Sequence, residues 1–395
     1  MGWTNKIIGS DKMVYLDYAA ATPTDEEVLN EFVKATKKYY TNPNSNHKLG
    51  MEAKDAIDRS TEKIAKNLNV SPEEIIYTSG ASETNNLVIK GICERYKARG
   101  KHILISSLEH NSITAAATKM QEQGFEVELL PITKEGYIDL EVLKNMLRDD
   151  TILVSACTVD SELGLKQPIE EIGKILKKYP NCYFHTDASQ SIGKIKTDYQ
   201  DVDLITITPH KFYGLNGIGI LVKRKNVSLI PQINGGKSTT IYRSGTPCLA
   251  DIIATSKALD IALKNEQSRY EYILKLNEMV RSALEKYEHV QINSTKNSIP
   301  HTLNFSLKKI NSLKLQQKLE EHDIYVSTKT SCCPLNTPSK LVYALTKDKG
   351  LSSSSIRISF SYLTTQQEVE EFLKVFDTIY KAVSYTHLRA HETGR

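Results

Sequence analysis

Two residues in this chain have the type and setting needed to hold a reactive aldehyde cofactor. Lys211 lies in Thr208-Pro209-His210-Lys211-Phe212-Tyr213-Gly214, directly after the apolar stretch Val202 to Ile207. Asp187 lies in His185-Thr186-Asp187-Ala188-Ser189-Gln190, directly after the apolar run Cys182 to Phe184. An amine and a carboxylate, each at the end of a strand, are what pyridoxal phosphate requires. The amine forms an imine with its aldehyde, and the carboxylate keeps the ring nitrogen protonated so that the ring draws electrons from a substrate Cα. Either residue alone reads as a solvated surface charge; the pair does not.

Further groups suit the same ligand. Thr78-Ser79-Gly80-Ala81-Ser82-Glu83 follows an apolar run and opens a helical stretch. Free N–H groups and the helix dipole make such a turn an anion site, and the Ser82 hydroxyl can donate to a phosphate. The same residues would also make an ordinary Ser-capped helix start. His110, in Leu108-Glu109-His110-Asn111, offers an imidazole to stack on a planar ring and move protons, or is simply a histidine at a helix start. Gln190 follows Asp187 closely enough to reach a ring hydroxyl from a turn. Lys211 must lose its proton to react, which burial and a cationic cofactor would favour.

Arg357, in Ser354-Ser355-Ile356-Arg357-Ile358-Ser359, can clamp a carboxylate with its two-pronged guanidinium or sit as a surface arginine on a strand. A second arginine stands among small residues in Arg243-Ser244-Gly245-Thr246. Residues 327–339 are polar, contain Pro334 and Pro338 and lack periodicity, so they read as a mobile exposed loop. Cys332 in that loop suits a nucleophile that travels between a buried site and an outside acceptor, or is an incidental exposed thiol.

The elements that must position these groups alternate. Glu74–Thr78, His102–Ser106, Glu126–Leu130, Ile152–Ala156, Cys182–Thr186, Leu204–Thr208 and Ile218–Val222 read as strands. Between them, Glu83–Arg99, Ser112–Gln123, Leu140–Arg148 and Ile169–Lys177 carry apolar residues at helical spacing. This predicts an α/β domain with a seven-stranded, mostly parallel sheet, whose ligands bind beyond the carboxyl ends of the strands. Leu249–Lys286 reads as a long helix bridging to a smaller α+β domain. That domain is predicted to contain strand Thr302–Leu307, helix Leu313–Glu321, strands Ile324–Val326 and Ser355–Ser359, and helix Gln366–Val383. The expected division is a large domain over 13–260, of which 13–25 packs with the small domain, and a small domain over 261–383.

Composition narrows the class. The 395 residues hold 51 Lys and Arg against 47 Asp and Glu, a net charge of +4 without single-sign blocks, which argues against direct nucleic-acid binding. No apolar stretch reaches the ~18 residues of a membrane span and no apolar leader opens the chain, so the expected location is cytoplasmic. The six cysteines should then be thiols, with Cys93, Cys157 and Cys182 in the core. No CxxC pair occurs, and no metal site is expected. Residues 1–12 read as an upstream extension. Residues 384–395 change character abruptly and resemble a translated sequencing adapter, so a non-native tail is expected there.

Together these motifs resemble the cysteine desulfurases of the pyridoxal-phosphate class V aminotransferase group. The resemblance also rests on Tyr15-Leu16-Asp17-Tyr18-Ala19-Ala20 and Asn42-Pro43-Asn44-Ser45-Asn46-His47-Lys48-Leu49-Gly50, and runs from Val14 to Val383. It implies a fold-type I transferase and a homodimer with active sites at the subunit interface. Ala81, Ser82, Thr208 and His210 would contact the cofactor phosphate, Thr246 the phosphate of the other subunit, and His110 the ring. L-cysteine would be the substrate, with Lys211 the base and Cys332 the acceptor of its sulfur as a persulfide. Alanine would leave, and the sulfur would pass to an iron–sulfur scaffold or a tRNA-thiolation enzyme.

Three departures from the family pattern stand out. Ser161, in Asp160-Ser161-Glu162, replaces an amide that in the family contacts cofactor and substrate. Gly235-Gly236-Lys237-Ser238-Thr239 lacks the usual residues after its glycines, and Cys333 stands beside Cys332. The alternative readings are a selenocysteine lyase or another class V aminotransferase, and a non-catalytic sulfur-relay partner.

Overall fold

A computed structural model describes residues 13–308, 310–329 and 337–392, with side chains as far as Val383. The chain begins with strand β1 (Val14–Tyr15) and helices α1 (Glu26–Lys38) and α2 (Lys48–Asn67). Asp25 caps α1 by accepting from the Glu27 N–H, and His47 caps α2 by accepting from the Gly50 N–H. Then strands and helices alternate: β2 (Ile75–Thr78), α3 (Ala81–Tyr96), β3 (His102–Ser106), α4 (Asn111–Glu122), β4 (Glu126–Leu130), α5 (Leu140–Met146), β5 (Thr151–Ser155), α6 (Ile169–Leu176), β6 (Tyr183–Asp187), β7 (Leu204–Ile207) and β8 (Gly219–Lys223).

These seven strands form one sheet in the order β2-β8-β7-β6-β5-β3-β4. Pairing is parallel from β4 through β7, while β8 runs antiparallel to both of its neighbours. Alternate residues of a strand face opposite sides, and both sides are covered. Leu104, Val154, Phe184 and Ile205 join one core with α2 and α6, whereas Ile103, Leu153, Tyr183 and Leu204 join another with α3 and α4. Double burial explains why these strands read as continuous apolar runs. The observed strands match the expected ones to within a residue at each end.

Helix α7 (Leu249–Leu284) has 36 residues, a length of roughly 54 Å. Its first half buries Ile252, Leu259 and Ala262 against the large sheet's core, and its second half buries Ile273, Leu276 and Val280 in a separate core. The elements that follow are β9 (Val290–Ile292), β10 (Thr302–Leu307), α8 (Ser312–Glu320), β11 (Ile324–Tyr325), α9 (Lys340–Thr346), α10 (Lys349–Ser353), β12 (Ser355–Ser359) and α11 (Gln366–Glu392). Of these, α9 and α10 bury Leu341, Val342 and Leu351 in a small cluster with Leu108, Cys157, Leu163 and Leu165, and the others build the second core. Strands β12, β10 and β9 make an antiparallel sheet, and β1 pairs in parallel with β11. The α11 start is a reciprocal box: the Glu368 N–H donates to Thr365 Oγ1 at 3.2 Å and the Thr365 N–H to Glu368 Oε2 at 2.6 Å. This helix runs past the expected end at Val383, because no Gly or Pro follows until Gly394. No described helix is long and apolar enough to cross a membrane.

Gly219 opens β8 opposite Thr78, where the chain turns into α3. A Cβ there would lie 2.7 Å from the Gly80 backbone. Gly219→Ala is therefore expected to push the Thr78–Ala81 turn aside at a cost of about 1–3 kcal/mol, read as a lower denaturant midpoint; an unchanged midpoint would show that the turn yields freely.

Candidate active site

Five strand ends deliver the site. The carboxyl ends of β2, β3, β5, β6 and β7 face one rim, as parallel order requires, and the segments after them border a cavity of about 380 Å³. Two larger clefts, about 930 and 900 Å³, lie elsewhere and hold none of the candidate groups. Lys211, Asp187, His110, Gln190, Ser161 and Arg357 all line the smaller cavity. So do Ala81, Ser82, Thr208 and His210. Thr246 is exposed and does not line it. Cys332 and Cys333 lie outside the described residues.

Lys211 ends a 3-10 turn after β7, where its Nζ donates to the carbonyls of Ala19 at 2.7 Å and Ala20 at 2.6 Å. The N-terminal arm thus holds the amine at the cavity wall. Asp187 ends β6 and is 7% exposed. Its Oδ1 accepts from the Ser189 N–H and its Oδ2 from Asn85 Nδ2, both at 2.9 Å.

Asn85 was not singled out in the sequence, yet it ties two site groups together. Its other N–H donates to Ser112 Oγ at 2.9 Å, and Ser112 Oγ lies 2.9 Å from His110 Nδ1. The Ser112 backbone N–H also donates to His110 Nδ1, at 3.1 Å. With Nδ1 accepting, the neutral ring carries its proton on Nε2. Burial pushes the His110 pKa below its usual value, with the Lys211 cation adding to the effect against Asp187 and Glu162. The available signal was position: Asn85 sits among Thr84, Val88 and Ile92 on the buried stripe of α3, where a polar residue needs a reason.

Glu109 is the second residue missed. Its Oε1 accepts from the Cys157 N–H at 2.7 Å, while burial and then Asp187 raise its carboxyl well above the usual range. Burial likewise raises the Cys157 thiol, which makes it a core residue beside the cavity and no nucleophile.

At the other end, Ala81, Ser82 and Glu83 open α3 after Gly80, whose φ of 148° suits glycine. A Cβ at Gly80 or Gly217 would meet nothing within 4 Å, so open space adjoins this helix start. Thr208 Oγ1 lies 3.0 Å from His210 Nδ1, and burial, Lys211 and Lys194 push the His210 pKa down to about 4. The start of a 16-residue helix with hydroxyls and an imidazole beside it has the chemistry to hold a phosphate.

Arg357, on β12, is 1% exposed and joins the two sheets across the cavity. It donates to Asp17 Oδ1 at 2.6 Å and to the Ser161 carbonyl at 2.7 Å, and its buried Nε has no partner among the described residues. Ser161 is presented by Asp160, whose carboxylate accepts from the N–H groups of Glu162, Leu163 and Leu165 at 2.8, 2.7 and 2.7 Å. Asp160 thus builds the turn, while the Ser161 main chain positions Arg357.

An amine, a carboxylate and a helix start suited to a phosphate, all lining one cavity of about 380 Å³, fit pyridoxal phosphate. Comparison with known proteins agrees. The aminotransferase class-V family model matches residues 14–372. A cysteine desulfurase IscS of Dictyoglomus turgidum is 36% identical over 371 residues, 93% of this chain and 94% of that protein. A solved NifS-like protein superposes with a TM-score of 0.87 at 33% identity, over 94% of this chain and all of that one. A structure described as SspA in complex with cysteine gives a TM-score of 0.78 at 30% identity, over 88% of this chain and 98% of that one.

Replacing Asn85 by Ala should strip Asp187 Oδ2 of its amide donor and release His110. The expected result is cofactor binding weakened by about 1–3 kcal/mol, roughly five- to 150-fold, in a fluorescence titration; wild-type affinity would mean that Asp187 needs no such support. With the fold, the site and the family model in agreement, the chain belongs to the class V aminotransferase family, whose members work with pyridoxal phosphate.

Proposed function

We propose that this protein is a cysteine desulfurase that converts L-cysteine to L-alanine and keeps the sulfur as a persulfide on Cys332. The reading rests on one observation above all: Lys211, Asp187, His110 and Arg357 converge on a single cavity in a chain similar throughout to cysteine desulfurases. Pyridoxal phosphate, when bound, supplies an electrophilic carbon and a protonated ring that withdraws electrons from the substrate Cα.

The chain's own residues do the rest. Asp187 holds the proton on the ring nitrogen, and Asn85 holds Asp187. The α3 start with Thr208 and His210 binds the phosphate. Arg357, anchored by Asp17 and the Ser161 carbonyl, receives the substrate carboxylate. Lys211 Nζ takes the Cα proton. The Cys332 thiolate attacks the substrate sulfur; the S–S bond forms as the Cβ–S bond breaks, and a proton at Cβ completes alanine. Thiol plus cysteine thus gives persulfide plus alanine, with no outside oxidant or reductant.

The cysteine loop joins β11 to α9; one foot is tied to Arg357 of the cavity and the other to Glu162, next to Ser161. Ser327 exchanges backbone hydrogen bonds with Arg357, and Ser339 Oγ donates to Glu162 Oε2 at 2.5 Å. Such anchoring supports delivery of Cys332 to the substrate. A homodimer is part of the proposal: Thr246 is exposed and free to reach a partner's phosphate, and Leu29, Val33, Leu49 and Met51 expose apolar surface on α1 and α2. The reading further assigns a cytoplasmic location and an acceptor protein that serves iron–sulfur assembly or tRNA thiolation.

With L-cysteine, alanine release and mass-mapped persulfide decide the chemistry. Cys332→Ala is expected to lose persulfide and at least tenfold in alanine rate, while Cys333→Ala retains both. The opposite pattern would move the nucleophile to Cys333. A keto acid in place of alanine would mean transamination.

A further inference from the structure

Lys194 lies behind the cavity and has no part in the chemistry above. It is 8% exposed and follows β6. Burial, Lys211 and Arg357 together hold its pKa down to about 7. Its Nζ donates to Gln190 Oε1 at 2.6 Å. The other end of that amide, Nε2, donates to the Ala19 carbonyl at 2.9 Å, and the same carbonyl accepts from Lys211 Nζ at 2.7 Å. A carbonyl only accepts, so the amide nitrogen must face Ala19 and the amide oxygen must face Lys194. One N–H goes to Ala19. The second is left for the cavity, which Gln190 lines.

We infer that Lys194 is a positioning residue: it locks the Gln190 amide so that an N–H, and never the oxygen, faces the ring hydroxyl of bound pyridoxal phosphate. Without Lys194, Oε1 is a buried acceptor with no donor, and the amide gains by turning away. The consequence is electronic. A donor at the ring oxygen stabilises its negative charge and weakens its hold on the proton shared with the Lys211 nitrogen. Loss of the donor therefore raises the pH at which that proton leaves.

Other charged or titratable groups face Lys194 from every side: Lys211 and His210 from the turn after β7, Arg357 from β12, His301 ahead of β10, and Arg269 and Glu266 from α7. All of them remain in a Lys194→Met variant. The inference rests on the cofactor assignment and not on the sulfur chemistry, because its test uses no substrate.

The experiment is a pH titration of the visible absorbance of the holoenzyme, for wild type, Lys194→Met, Gln190→Ala and the double variant. Each single change is expected to raise the midpoint by about one pH unit, and the double variant to match the singles. A pure charge effect of Lys194 would instead add to that of Gln190→Ala. Additive shifts, or a folded and loaded Lys194→Met at the wild-type midpoint, would overturn the inference. If Lys194→Met does not fold, Gln190→Ala still decides, since a wild-type midpoint there leaves Lys194 nothing to act through. A wild-type protein with no visible band would instead contradict the cofactor assignment.

Discussion

Parallel pairing from β4 to β7 is the constraint on which the rest depends. Strands that share a direction end at one rim, so whatever follows them is gathered there. That is why His110, Ser161, Asp187 and Lys211 meet although they are far apart in the chain, and β2, turned the same way by two antiparallel pairings through β8, brings the α3 start to the same rim. The sheet's cores, buried on both faces, make the rim rigid, and rigidity lets a polar site be built from groups that would otherwise scatter.

The rim alone leaves the cavity open on one side, and the smaller sheet closes it. Arg357 crosses from β12 to Asp17 and the Ser161 carbonyl, while β1 is paired with β11. The residues after β1 supply the Ala19 and Ala20 carbonyls that hold Lys211. Arg357 and the Lys211 amine are therefore held by one short arm. A buried arginine whose Nε has no partner among the described residues is costly to leave unsatisfied, and a carboxylate ligand would relieve that cost.

The large sheet was legible because its strands are short apolar runs separated by amphipathic helices, and burial on both faces leaves that pattern unbroken. Lys211, Asp187 and the α3 start were legible because each follows such a run. Helices α1 and α2 went unassigned, as did β9, α9 and α10. Strand β9 has only three residues, half exposed, and α9 and α10 are too short to show a period. Asn85, Glu109 and Lys194 escaped for another reason. Their importance lies in partners distant in sequence, Asp187, Cys157 and Ala19 by way of Gln190, which no local pattern encodes.

The central claim is a cofactor joined to one lysine. Borohydride reduction of the pyridoxal-phosphate-loaded protein, followed by peptide mass mapping, tests it directly. The account predicts a single modified peptide carrying the reduced cofactor on Lys211. A folded protein that takes up no label, or that carries it on another lysine, would contradict the account.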